Sequence, residues 1–233
     1  MTPIKPTDFA FDIYGTIIDP FAIRQHLERL IGSTAEAFTT LWREKQLEYS
    51  FRRGLMGRYE PFSTCTRQAL IYCSQVFGVP LSAQAERELL EQYQRLPAYP
   101  DARPALEKLK HNARKVIAFS NGEEKVVRAL LANQGLLDSF DAVISVDEVQ
   151  SFKPDPRVYQ LLAARLGGSL SDIWMVSSNP FDVIGAKHAG LRAAWIRRRT
   201  TAVFDPWGLE PDLAVQDLND FAARIEPALR SKA

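Results

Sequence analysis

Four stretches of this 233-residue chain place chemically active residues directly after apolar runs that read as strands. Asp12 stands at the tip of Asp8-Phe-Ala-Phe-Asp-Ile13, and Ser120 and Asn121 follow the run 115–119. Lys153 lies in the loop Gln150-Ser-Phe-Lys-Pro154, while Ser177, Ser178 and Asn179, with Asp182 just beyond, follow the run 173–176. In open α/β sheets ligands bind beyond the carboxyl ends of the strands, so these are the first places to look for a site. One polar residue there is commonplace, because loops are polar and Ser and Asn favour helix starts. A carboxylate, a hydroxyl, a lysine and a second acid at one sheet edge are harder to explain that way. The bland alternatives are a solvated loop lysine at 153 and a helix-capping cluster at Ser177, Asn179 and Asp182.

The elements that must hold these residues fall into two patterns. After Pro100 strands at 115–119, 142–146, 173–176 and 193–196 alternate with helices at 123–134, 156–166 and 181–189, each helix closed by glycine, and a terminal helix starts near Asp217. Such alternation implies parallel pairing and a sheet covered on both faces, an α/β doubly wound, Rossmann-like core. Between Asp19 and Leu96 no strand pattern appears. Ser33-Thr-Ala-Glu36 reads as a capping box opening a long helix through Phe38, Leu41, Trp42, Lys45 and Tyr49, followed by helices from near Ser63 to Phe77 and from Ser82 to Leu96. The expected organisation is a core of residues 1–17 and 98–233 with an all-helical cap, 18–97, inserted after the first strand.

Composition narrows the partners. Lys plus Arg number 29 against 28 Asp plus Glu, a net charge of +1, so no positive excess is available for a phosphate backbone or an anionic membrane surface. No apolar run reaches bilayer-spanning length, and the reading is a cytosolic protein. Cys65 and Cys73, eight apart on a helical pattern, read as buried thiols; His26, His111 and His188 are scattered without metal-ligand spacing. The run Arg197-Arg198-Arg199 reads as a solvated edge.

Phe11-Asp-Ile-Tyr-Gly-Thr16, Phe119-Ser-Asn-Gly122, Phe152-Lys-Pro-Asp155 and Val176-Ser-Ser-Asn-Pro-Phe-Asp182 resemble, in order and rough spacing, the four motifs of the haloacid dehalogenase superfamily. Leu41-Trp-Arg-Glu-Lys-Gln-Leu-Glu-Tyr49 resembles the cap helix of its (S)-2-haloacid dehalogenases. The resemblance implies Asp12 as nucleophile, displacing halide from the α-carbon of a small 2-haloacid to form an ester that water cleaves at the aspartyl carbonyl. One inversion then turns an (S)-2-halo acid into an (R)-2-hydroxy acid. It further implies that Asp182 pairs with Lys153 and positions the hydrolytic water, with Ser177 and Asn179 fixing both. Thr16 and Ser120 supply hydroxyl donors for Asp12 and for the substrate carboxylate, which also meets backbone N–H groups at Ile13 and Tyr14. Arg43, Asn121 and the ring edge of Phe181 form the halide cradle; Tyr14, Leu47 and Phe62 wall the pocket. No cofactor, no metal and a homodimer are implied as well.

The superfamily's phosphatases need a second acid two residues after the nucleophile and acidic Mg²⁺ ligands in the fourth motif. Tyr14 holds the first place, and Ser177 and Ser178 stand where an acid is expected. A phosphatase is therefore the more distant alternative, as is a silent binding protein. The nearer one keeps Asp12 attack but changes the leaving group or the acid, to fluoroacetate or a strained cyclic amino acid. Glu44 beside Arg43, where the family resemblance calls for a neutral glutamine, is the feature that would favour a cationic substrate.

Overall fold

The computed structural model describes residues 7–110 and 113–230, so His111 lies outside the described residues. Its sheet has six parallel strands, β1 Asp8–Phe11, β2 Lys115–Ser120, β3 Ala142–Ser145, β4 Ile173–Ser177, β5 Arg192–Ile196 and β6 Leu213–Val215, in the order β3-β2-β1-β4-β5-β6. This is the doubly wound, Rossmann-like arrangement expected from the alternating pattern. The order reverses between β1 and β4, and a crevice for ligands opens at such a switch point. Asp12 leaves β1 there, its N–H still bonded to the Val176 carbonyl at 3.0 Å.

All four residues of β1 are buried, as befits a central strand with covered faces. Phe9 and Phe11 project to one side and meet Phe221 edge-on, with centroids 5.8 and 6.1 Å away. Phe221 belongs to α9 Leu218–Arg230, which packs beside α5 Ala102–Lys110. Burying each phenylalanine contributes about 1.5–3 kcal/mol, so β1 is anchored independently of the polar site at its end. Helices α6 Glu124–Asn133, α7 Pro156–Leu166 and α8 Pro180–Ala189 complete the crossovers.

Four helices lie between β1 and α5: α1 Arg24–Ile31, α2 Ala35–Leu55, α3 Phe62–Val76 and α4 Ala83–Tyr93. Helix α2 packs along α3, with Trp42 buried and its indole N–H bonded to the Thr66 carbonyl at 2.9 Å. The chain enters and leaves this helical stretch side by side. Asp19 N–H bonds to the Pro97 carbonyl and Tyr99 N–H to that of Ile17.

Several local expectations need correction. The Ser33 capping box does not form: a 3₁₀ turn, Gly32–Thr34, leads straight into α2, and its last residue caps without a side-chain bond. A capping side chain works from an extended backbone, which a chain already coiled does not offer. Helices α1 and α5 and strand β6 were not expected. β6 is three residues long, too short for periodicity to register. β2 and β4 run one residue further, so Ser120 and Ser177 end strands rather than follow them. Arg198 is not a solvated edge: it pairs with Asp101 at 2.6 Å and also bonds the Thr16 carbonyl.

Candidate active site

The loop after β1 is shaped by Gly15, whose φ of +98° suits a residue without a side chain. The turn it makes brings Thr16 back toward Asp12, and the Thr16 hydroxyl donates to Asp12 Oδ2 at 3.0 Å while accepting the Ser178 N–H at 2.8 Å. Asn179, capping α8, donates through Nδ2 to the same Oδ2 at 2.7 Å and to the Tyr14 carbonyl at 3.1 Å. Lys153 Nζ reaches the other oxygen, Oδ1, at 3.1 Å. With two donors on Oδ2 and one on Oδ1, Oδ1 is the oxygen with room for further chemistry.

Lys153 is 1% exposed, which a lysine tolerates only when its charge is fully met. Its three N–H groups are all taken, by Asp12 Oδ1, by Asp182 Oδ2 at 2.9 Å and by the Phe119 carbonyl at 3.0 Å. The Phe119 ring lies 4.4 Å below the ammonium and adds a cation–π contact. Asp182 is fully buried, and burial raises its pKa; the Asp12 charge raises it further, while Lys153 and Tyr159 pull it back. The paired acid and lysine expected from sequence are therefore in direct contact, and the solvated-lysine alternative is excluded.

Tyr159 was missed from sequence. Its hydroxyl donates to Asp182 Oδ1 at 2.9 Å and to the Asp182 carbonyl at 3.2 Å, and burial next to Asp182 holds its pKa well above the usual tyrosine value, so it stays a donor. It sits in the apolar stripe of α7 with Val158 and Leu162, where a tyrosine looks like core. Ser178 was also left without a role, yet its hydroxyl donates to the Gly15 carbonyl at 2.6 Å and ties α8 to the nucleophile loop.

Three assigned roles change. The Ser177 hydroxyl accepts the Asn179 N–H at 3.1 Å, so it holds Asn179 and touches neither Lys153 nor Asp182. Asn179 in turn holds Asp12, not Lys153 or Asp182. Ser120 Oγ accepts the Gly122 N–H at 3.0 Å and has no bond to Asp12. Ile13 is fully buried beneath the loop, its carbonyl accepting from Ile17 and Ile18 at 3.0 and 2.9 Å.

Arg43 reaches this loop from α2. Its Nη2 donates to the Tyr14 carbonyl at 3.1 Å and its Nη1 to Gln46 three residues on, a partner that counting four residues ahead overlooked. Glu44 points away and is exposed. Asn121 Oδ1 accepts the Lys153 N–H at 3.0 Å, which locks the lysine loop to the end of β2. Phe181 is half-buried in the first turn of α8 and meets Phe51 edge-on at 5.0 Å. Tyr14 stacks on Tyr93 and leans on Phe62, each with centroids 5.9 Å away, and burial pushes its phenol pKa up. Behind that aromatic wall opens a cleft of about 220 Å³ bordered by Arg67, Leu90 and Glu123. Leu47 is half-buried on α2 and does not border the cleft.

Among the described residues no three His, Cys, Asp or Glu side chains are grouped as a metal set. The donor chemistry beside Asp12 is itself unsuited to a hard cation, because Asn179 and Lys153 present N–H groups where Mg²⁺ takes oxygen.

Comparison with known proteins agrees with this geometry. The haloacid dehalogenase-like hydrolase family matches residues 9–190. An (S)-2-haloacid dehalogenase of Pseudomonas sp. (strain YL) is 37% identical over 219 residues, 94% of each chain. One from Xanthobacter autotrophicus is 43% identical over 81% of this chain and 74% of its own. The solved structure of L-2-haloacid dehalogenase from Xanthobacter autotrophicus with chloropropionic acid covalently bound superposes with a TM-score of 0.88 at 36% identity, covering 94% of this chain and 98% of that one. The chain described here thus belongs to the haloacid dehalogenase-like hydrolases, in their (S)-2-haloacid dehalogenase family.

Proposed function

We propose that this protein hydrolyses small (S)-2-haloalkanoic acids to (R)-2-hydroxyalkanoic acids without a metal. The observation that carries the reading is the state of Asp12: one oxygen is held by Thr16 and Asn179, the other faces the Lys153 ammonium, and Arg43 stands over the same loop. Asp12 Oδ1 attacks the α-carbon from the side opposite the halide. The new C–O bond forms as the carbon–halogen bond breaks, and the halide leaves with the electron pair. Held donors on Oδ2 keep the carboxylate in line without reorganisation, which is the main way an oxygen nucleophile of low basicity gains rate. Water then adds to the aspartyl carbonyl, one of its protons passes to the departing alkoxide of the hydroxy acid and the other is released, and Asp12 is regenerated as the carboxylate. Asp182, buried and pushed toward protonation, together with Tyr159 holds Lys153 and orders that water.

The departing halide meets the Arg43 guanidinium, the Asn121 amide and the Phe181 ring edge; the substrate carboxylate takes the Ser120 hydroxyl and the N–H groups of Ile13 and Tyr14. Tyr14 and Phe62 bound the alkyl group. Residues 18–97 act as the cap closing this space over a core of 1–17 and 98–233. The exposed position of Glu44 weighs against a cationic amino acid substrate. The enzyme works as a homodimer in the cytosol, and sedimentation at micromolar concentration tests the first of these.

The deciding experiment is chloride release from each enantiomer of 2-chloropropionate in EDTA, with the chirality of the lactate determined. Release from the (S) enantiomer alone, yielding (R)-lactate, is expected. Phosphate release from phosphate esters dependent on Mg²⁺, with no chloride released, would overturn the reading.

A further inference from the structure

Arg43 carries no ion pair among the described residues: the Tyr14 carbonyl and Gln46 Oε1 at 2.7 Å, which accept from it, are both neutral, as is the Tyr93 hydroxyl beside it. Gln46 is 1% exposed and its amide is bonded on both sides. Oε1 accepts Arg43 Nη1 and also the Tyr93 hydroxyl at 3.0 Å, while Nε2 donates to Thr66 Oγ1 at 2.5 Å. The Thr66 hydroxyl proton is spent on the Phe62 carbonyl at 2.9 Å, so Thr66 offers Gln46 only a lone pair. That settles which way the amide faces, because a reversed amide would turn its N–H groups on the guanidinium. Burial raises the Tyr93 pKa, which keeps its phenol a donor to Oε1. Three elements, α2, α3 and α4, thereby converge on one amide group.

We propose that Gln46 is a positioning residue for Arg43, one that fixes the guanidinium over the nucleophile loop with a neutral acceptor so that its full positive charge remains for the leaving group. The inference rests on the dehalogenase reading above. A carboxylate at the same place would hold Arg43 equally well but would neutralise it, and an alkyl side chain would leave it unheld. Two of the five guanidinium N–H groups are taken by the Tyr14 carbonyl and Gln46, and the rest of the fork, beside the neutral Tyr93 hydroxyl, keeps its charge for an anion.

The test measures the displacement step by rapid quench with the (S) enantiomers of 2-chloropropionate and 2-bromopropionate. Gln46→Glu and Gln46→Leu are compared with the parent, and Gln46→Leu also with an Arg43→Lys background. Each Gln46 variant is expected to slow displacement about tenfold or more, and the chloro substrate more than the bromo, because the poorer leaving group depends more on the charge that receives it. In the Arg43→Lys background Gln46→Leu is expected to change the rate less than about twofold, the non-additivity of residues acting through one another. Equal losses in both backgrounds, or a Gln46→Glu enzyme with parental rates on both substrates, would overturn the proposal. Gln46→Glu is isosteric and preserves the packing should Gln46→Leu fail to fold. A parent enzyme that does not release halide would instead refute the dehalogenase reading itself.

Discussion

Tyr159 and Gly185 touch so closely that a Cβ built at position 185 would lie 2.5 Å from the Tyr159 hydroxyl oxygen and 2.6 Å from Pro154 Cβ. The missing side chain lets α8 approach α7 and the Lys153 loop, and so lets Tyr159 reach Asp182. Gly185→Ala is expected to destabilise the fold by about 1–3 kcal/mol through overpacking and to displace Tyr159 from Asp182. Tyr159→Phe keeps the ring and removes only the donor. It is expected to lower turnover and, because a buried Asp182 oxygen loses its donor, to cost about 1–3 kcal/mol as well; chloride release and thermal unfolding measure both variants.

Removing the ammonium between Asp12 and Asp182 leaves two buried carboxylates facing one another. Lys153→Met is expected to abolish turnover and to cost about 3–5 kcal/mol in urea unfolding, as breaking a buried pair does. Lys153→Arg is not expected to rescue it, because three acceptors surround a compact ammonium and a planar fork cannot meet all three. Parental stability in Lys153→Met would contradict the buried charge set.

Asp12→Asn is expected to be inactive and close to the parent in stability, since the amide keeps the volume. With parent enzyme in excess and H₂¹⁸O as solvent, the first turnover should place ¹⁸O in Asp12 and not in the lactate hydroxyl. Mass spectrometry of the peptide containing Asp12 reads this directly. Label appearing first in lactate would mean that water, not Asp12, attacks the α-carbon.

Arg43 is half-buried and bonded only to neutral atoms, so Arg43→Ala should change stability by less than about 1 kcal/mol. The displacement step should slow by about 10²–10³, the loss typical of removing a charged stabiliser of developing anion. Rapid-quench detection of ester formation at the parental rate would remove Arg43 from the halide site.

Cys65 and Cys73 are fully buried, and desolvation pushes their pKa values up to about 11 and about 12. In the unfolded chain both ionise near the ordinary thiol value of 9.0, so between that pH and their folded values the native state retains protons the unfolded state has lost. Stability from these groups is therefore unaffected below pH 8 and falls as the pH rises through 9 and above. At pH 8 the native protein should react with a thiol reagent no faster than it unfolds, while denatured protein titrates two thiols at once.

Much of the site was legible because chemistry here is concentrated at strand ends. Asp12, Ser120 and Ser177 follow or end short apolar runs and Lys153 lies in the loop beyond β3, and the alternating pattern alone sends those strand ends to one edge of a parallel sheet. The partners that came from elsewhere were not legible. Tyr159 occupies a core stripe, and only the approach of α8 turns its hydroxyl into a donor for Asp182. Gln46 looks like one more polar residue on a helix until α3 and α4 close over it.

From its sequence alone this protein is an α/β chain with a helical stretch after the first strand and a carboxylate, lysine and acid set of a dehalogenase kind, because periodicity and local motif order are written in neighbouring residues. Which oxygen of Asp12 is free, that Ser177 serves Asn179, that Glu44 faces solvent and that Arg43 keeps its charge unpaired were decided by tertiary structure. Each depends on hydrogen-bond directions between residues far apart in the chain, and those directions exist only once the elements are packed.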